Sequence, residues 1–125
     1  MDIEAYKNAH GTAVMAALKE APGWEMFTEG DAADRYVTAL ERSVTYVCHD
    51  RDEFCGYVRA VKDDGFFIYI SELYVLPEWR GRSVGRSLLK RVKEDYLDLA
   101  VYVLSDEDEY YEHMGFKKAG SVFEL

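Results

Sequence analysis

A mixed α/β domain is the fold class that the sequence predicts, and three observations predict it. Two β-branched and aromatic runs, Val44 to His49 and Phe54 to Val61, are split by the charged segment Asp50-Arg51-Asp52-Glu53, a hairpin signal. A helical apolar periodicity, Val84, Leu88, Leu89, Val92 and Tyr96, lies between a strand ending at Val75 and the wholly apolar run Leu99 to Leu104. The chain has 125 residues, 49% hydrophobic and 14% aromatic, which is enough for one core and too short for two. A single domain over residues 1–125 is expected.

Taken in order, residues 3–20 carry few breakers, place Ile3, Tyr6, Ala13, Val14, Ala17 and Leu18 on a loose stripe and stop at Pro22-Gly23, so they predict a first helix. Asp31 followed by Asp34 resembles an N-terminal cap, and Ala33, Tyr36, Val37 and Leu40 recur at helical spacing up to Arg42, a second helix. The hairpin follows, and its second strand meets Lys62-Asp63-Asp64-Gly65, whose Asp-Gly pair suits a tight turn. Phe66 to Val75 then completes an antiparallel meander that Pro77 ends. The helix predicted over 83–96 and a Leu99 to Leu104 strand buried on both faces make a crossover unit, with the two strands parallel. Ser105 and Asp108 resemble a capping box, with Asp106, Glu107 and Glu109 also in the first turn; a short helix should run to Met114 and stop at Gly115. Phe116 to Leu125 is expected to finish the sheet as a bent strand or small hairpin interrupted near Gly120, with its exposed edge free to pair with a second copy as a homodimer.

The balance of 15 basic against 24 acidic residues gives a net charge of -9, which opposes general affinity for nucleic acid or an anionic membrane. The longest apolar stretches, Ala13 to Leu18 and Leu99 to Leu104, fall far short of the roughly 20 residues that span a bilayer, and no secretory signal is evident. The chain is read as cytosolic. Cys48 and Cys55 have no C-x-x-C or Cys/His companions, so they are expected to remain thiols, facing each other across the hairpin. His10, His49 and His113 have no spacing to a nucleophile or metal, and no metal site is predicted.

Against this acidic background, Arg80, Arg82, Arg86, Lys90, Arg91 and Lys93 form a stretch with no acidic residue. They sit where the loop Arg80-Gly81-Arg82-Ser83-Val84-Gly85-Arg86 runs into a helix start. Free amides there, the helix dipole and glycines that admit a ligand to the backbone make an anion cradle, and its ligand should carry phosphate. The other reading is a solvated basic helix face. A P-loop needs G-x-x-x-x-G-K-[ST] and a dinucleotide fold needs G-x-G-x-x-G directly after a strand; neither occurs.

The stretch from Glu72 through Val75, Pro77 and Arg80 to Gly85 and Leu89 resembles motif A of the GNAT superfamily of N-acetyltransferases, whose core is [RQ]-x-x-G-x-[GA] after a V-x-P strand end. Tyr110-Tyr111-Glu112-His113-Met114-Gly115-Phe116 resembles its motif B, a Y-E-x-x-G-F run. The resemblance implies a GNAT-like acyl-CoA N-acyltransferase fold with acetyl-CoA as co-substrate. It implies that the amides of Arg80, Gly81, Arg82, Ser83, Val84, Gly85 and Arg86 hold the pyrophosphate, and that the pantetheine lies along the strand at Leu73 and Val75. Arg80 takes the [RQ] position and Gly85 the last small position, while Ser83 stands where the family most often has Gly. The family's first strand is not evident, so a trimmed N-terminus is expected, and the link after Leu104 lacks the Asn often found there.

Acetyl transfer to an amine needs the amine unprotonated, the thioester carbonyl polarised and the leaving thiolate protonated. Tyr111 matches the motif B tyrosine that implies a general acid beside the CoA sulfur, and helical spacing assigns Tyr110 to the core with Met114. Glu72, in an apolar strand and by period two on the face of Ile70 and Tyr74, is the candidate base through water, or else a salt-bridge partner or acceptor-binding anion. The base of the histone-acetylating branch lies six before the Val, where this chain has Tyr69. The backbone around Leu73 to Val75 is the candidate for polarising the carbonyl. The resulting expectation is acetyl transfer from acetyl-CoA to a small or peptidic primary amine by direct attack in a ternary complex. The alternatives are an acyl-CoA-binding module without turnover, and an interaction protein that docks through its basic 80–93 helix.

Overall fold

The structure, a computed structural model, describes residues 1–125. One five-stranded sheet, in the order β1-β2-β3-β4-β5, divides two apolar layers. β1 (Asp2–Ala5) lies antiparallel to β2 (Val44–Asp50), which pairs with β3 (Glu53–Asp63), which pairs with β4 (Phe67–Val75). β5 (Ala100–Val103) runs parallel to β4. One face carries α1 (Gly11–Glu20), the short α2 (Glu25–Thr28) and α3 (Ala32–Arg42), whose Val14, Leu18, Tyr36 and Leu40 pack on Val47, Tyr57 and Tyr74. The other carries the crossover helix α4 (Val84–Asp95), whose Val84, Leu88, Leu89 and Val92 pack on Cys48, Val58, Ala60, Ile68 and Ile70. α5 (Asp108–His113) follows β5.

The start of the chain corrects two expectations. Residues Asp2–Ala5 are a strand, and the helix begins only at Gly11 after a 3-10 turn at Asn8–His10. Ile3 pairs with Cys48 of β2, so an available sheet edge overrides a helical stripe that was weak at its N-terminal end. A strand that the sequence did not reveal therefore lies ahead of the first helix. The hairpin turns where expected, with Arg51 and Asp52 both at positive φ. Cys55 is an extra residue in β3 and Cys48 lies opposite Gly56, so the cysteines are not cross-strand partners; both are buried free thiols. Burial pushes the Cys48 thiol up to about 11.

The end of the chain corrects two more. β5 was expected to be buried on both faces, but it is an edge strand, since Phe116 to Leu125 adds no strand beside it, and only Val101 and Val103 reach the α4 layer while Tyr102, beside Phe67 and Tyr69 on the other face, is exposed. Val122, Phe123 and Leu125 are exposed. The predicted capping box is also absent: the Ser105 hydroxyl accepts the Glu107 N–H (3.0 Å), and the helix starts at Asp108. Gly115, at φ 90°, ends it as predicted.

One glycine is fixed by close approach. A Cβ at Gly56 would lie 2.5 Å from the Tyr74 carbonyl oxygen and 3.1 Å from the Val75 Cα, both rigid backbone of β4. Gly56→Ala is expected to destabilise the fold by roughly 1–3 kcal/mol, as forced overpacking does, read as a lower urea midpoint at unchanged slope.

Candidate active site

β4 and β5 pair only from Phe67 with Ala100 to Ile70 with Val103, and the last bond between them is the Leu104 N–H to the Ile70 carbonyl (2.9 Å). From Ser71 onward the β4 edge that β5 covers lower down is open. The strands diverge around a cleft of about 1320 Å³ lined by β4 from Ile70 to Val75, the Pro77 to Arg86 loop apart from Arg82, Ser105 to Glu107, Tyr110, Tyr111 and the α1–α2 corner at Trp24 and Phe27. Such a volume exceeds the 300–1,000 Å³ typical of pockets for compact ligands and suits a long one.

The register of β3 on β4 shifts at the mouth of this cleft. Arg59 pairs with Glu72 and Ala60 with Ile70, so Ser71 is bulged out of the ladder. Period two expected Glu72 to share a face with Ile70. The bulge reverses that: Ile68 and Ile70 belong to the α4 layer, whereas Glu72 meets Tyr36 of α3 and Tyr74 joins the α1–α3 layer. Leu73 and Val75 pack towards α4. The bulge was invisible to a rule that assumes unbroken alternation; Ser71 between Ile70 and Glu72 was the only local sign.

Glu72 is 9% exposed and fully engaged. Arg59 Nε donates to its Oε1 (2.5 Å) and Arg59 Nη2 to its Oε2 (2.9 Å), while the Tyr36 hydroxyl donates to Oε1 (2.5 Å). Although burial opposes its charge, the Glu72 carboxylate holds the Arg59 guanidinium above its ordinary range. Of the open roles for Glu72, the geometry brings forward the ion-pair partner. Sequence reasoning missed Arg59 and Tyr36, whose helix and strand positions gave no sign that they converge.

The cradle loop turns twice through positive φ, once at a glycine and once at Ser83. Pro77–Trp79 forms a 3-10 turn, Gly81 lies at φ 78°, and Ser83 is left-handed at φ 66° just before α4. The Ser83 side chain makes no capping bond, so the first-turn N–H groups of Val84, Gly85 and Arg86 have no acceptor within the helix. A Cβ at Gly85 would run into the Tyr110 hydroxyl, so a side chain there would fill the cradle. These features fit a phosphate-bearing ligand. Arg80 Nε donates to the Val75 carbonyl (2.9 Å) and its guanidinium lies over Tyr74, tying the loop to the strand end. Arg82 lies 4.8 Å over the Trp79 ring, and Arg86 lines the cleft. Arg82→Ala and Arg86→Ala are each expected to weaken acetyl-CoA binding about tenfold at low ionic strength and less at high salt, since screened attraction carries part of the effect. Isothermal titration at two salt concentrations checks this; a salt-independent loss would indicate packing instead.

Both motif B tyrosines line the cleft, with their faces exchanged relative to expectation. Tyr111 is half-buried against the α4 layer, and burial pushes its hydroxyl up to about 12. Tyr110 is 42% exposed and stands edge-on to Tyr111 with its hydroxyl at Gly85. The helix starts two residues later than the expected Ser105 cap implied, and it is Tyr111, together with Met114, that packs on the α4 layer.

A mixed sheet whose parallel strands splay beside an uncapped helix start defines an acyltransferase-type fold. The family model described as acetyltransferase (GNAT) domain matches residues 41–118, and the chain belongs to the GNAT acetyltransferase family. Among solved structures, a transcriptional regulator from Bacillus halodurans C-125 superposes with a TM-score of 0.80 at 13% identity, over 99% of this chain and 97% of that one. AAC(6')-Iy, solved with the bisubstrate analogue CoA-S-monomethyl-acetylneamine, has a TM-score of 0.76 at 17% identity over 99% and 95%. A GNAT family acetyltransferase from Streptococcus pneumoniae TIGR4 has 0.71 at 21% over 99% and 97%. These likenesses establish the fold. No curated protein matches the chain in sequence. No helix is long and apolar enough to cross a membrane.

Proposed function

We propose that the chain transfers an acetyl group from acetyl-CoA to a primary amine by direct attack in a ternary complex. The observation that carries this reading is the single continuous cleft, with the α4 cradle and Arg86 at one end and Glu20, Trp24 and Phe27 at the other. Bound there, acetyl-CoA supplies the acetyl group as an activated thioester. The amides of Gly81 to Arg86 hold its phosphates, and the open β4 edge at Leu73 to Val75 aligns the pantetheine and donates to the carbonyl oxygen. The Tyr111 hydroxyl, which burial keeps protonated, donates to the departing sulfur. Glu72 stays outside the proton path in this reading because Arg59 and Tyr36 engage its oxygens; the amine loses its proton to solvent. The acidic lining at Glu20 and Glu78 favours a cationic acceptor, in keeping with the amine portion of the analogue bound by AAC(6')-Iy.

Docking through the basic helix is the weaker reading, because Lys90 pairs with Glu94, and Arg91 bonds Asp95 and the Ile3 carbonyl. Thermal unfolding with acetyl-CoA tests the binding step: at 100 times the dissociation constant it should add about 2.7 kcal/mol of stability. CoA release measured over an amine panel tests the chemistry. Binding without turnover of any amine would favour the acyl-CoA-binding module, and no binding would sink both.

A further inference from the structure

We propose that Arg59 and Tyr36 are positioning residues for acetyl transfer: acting through Glu72, they lock the bulge of β4 and so fix the Leu73 to Val75 backbone on which the acetyl carbonyl is held. The proposal rests on the acetyl-transfer reading for its reaction, and on the bonding around Glu72 for its geometry.

That bonding reaches four parts of the fold. Tyr36 comes from α3, Arg59 from β3 and Glu72 from β4, and Arg59 Nη1 donates to the Ser43 hydroxyl (3.0 Å) in the link between α3 and β2. Because the Tyr36 proton goes to Glu72, the Tyr57 hydroxyl donates to Tyr36 (2.6 Å), which completes the set. The Arg59 and Glu72 side chains are 14% and 8% exposed, so the pair is largely desolvated. A buried pair of this kind seldom adds stability over apolar residues of similar volume, and its best-attested use is to select one register. Here the register at stake is visible. Sliding the bulge by one residue would turn Glu72 towards Ile68, Ile70 and Leu88, where no donor awaits it, and would rotate Leu73 out of the α4 layer. Every donor to Glu72 is therefore a constraint on where Ser71 sits, and Ser71 is the point at which β4 leaves β5 and the cleft opens.

The test uses the double variant Arg59→Met, Glu72→Met, which removes both charges at similar volume, with Tyr36→Phe beside it as a change of one hydroxyl. Arg59→Met alone is unsuitable, since it strands a buried carboxylate. Four quantities are read: thermal unfolding, acetyl-CoA affinity, kcat at saturating substrates, and hydrogen exchange at the Glu72 and Tyr74 amides, which by strand alternation face β3 as the Leu76 amide does where it donates to the Cys55 carbonyl. The expected result is a double variant that melts with the parent and binds acetyl-CoA with similar affinity. Its kcat should fall by about 10²-fold, the scale of a misplacement near 1 Å, and its two amides should exchange about tenfold faster. Tyr36→Phe should move kcat and exchange the same way by less. A double variant with parental kcat and parental exchange overturns the proposal; if the double does not fold, Tyr36→Phe carries the same comparison. Should the parent acetylate no amine, the functional reading falls, and exchange still decides whether the network locks the bulge.

Discussion

Tyr111→Phe is expected to lower kcat by roughly 10² to 10⁴-fold with little change in acetyl-CoA affinity. A hydroxyl that donates to the departing sulfur strengthens its bond only as charge develops there, so its loss falls on the chemical step and not on binding. Burial holds the Tyr111 hydroxyl up to about 12, so it remains a donor throughout the working pH range, and the ring's packing against the α4 layer survives the substitution. Tyr110→Phe is the control. It removes the hydroxyl beside Gly85, a change that should register in cofactor affinity while kcat stays near the parent value. Single-turnover kinetics at saturating acetyl-CoA separates the two. Parental turnover by Tyr111→Phe, with chemistry shown to be limiting, would defeat the assignment, and a large kcat loss in Tyr110→Phe would transfer it to that residue.

Gly85→Glu should abolish measurable acetyl-CoA binding, a loss of at least about 100-fold, while the chain stays folded. Two effects add. The new side chain occupies the space through which phosphates reach the α4 amides, and its carboxylate opposes the positive field at that helix start. The nearest obstacle to a Cβ is the tip of the Tyr110 side chain, which can swing away, and the next is Leu73 Cδ2 at 3.6 Å, an ordinary contact. Calorimetric titration with acetyl-CoA, paired with a melting curve, checks both halves. A folded variant with parental affinity would remove the loop from the binding site.

The sequence made most of the frame legible where local and tertiary preferences agree. The hairpin, the Asp64-Gly65 turn and the crossover helix are examples, since Leu88, Leu89 and Val92 face the same layer that their spacing implied. It misled where a neighbour decided the outcome. Ile3 reads as helical until β2 offers an edge, and Leu99 to Leu104 reads as doubly buried although nothing covers Tyr102. The turn at Gly81 was legible because a glycine marks positive φ directly, whereas the left-handed Ser83 carried no such mark. The setting of Glu72 was not legible, because it depends on a residue that drops out of a ladder and on partners from other elements, Arg59 and Tyr36.

Ser71 also behaves as a frameshift within a single strand. Before it, even-numbered residues of β4 address the α4 layer; after it, odd-numbered residues do. β4 is thus two short messages written in different frames, one for closing the sheet against β5 and one for furnishing the cleft. Anyone transplanting this strand into a related scaffold must carry the extra residue with it. A graft matched only on length and hydrophobic pattern would deliver a carboxylate to the apolar layer and a leucine to the tyrosines of α3 and β3.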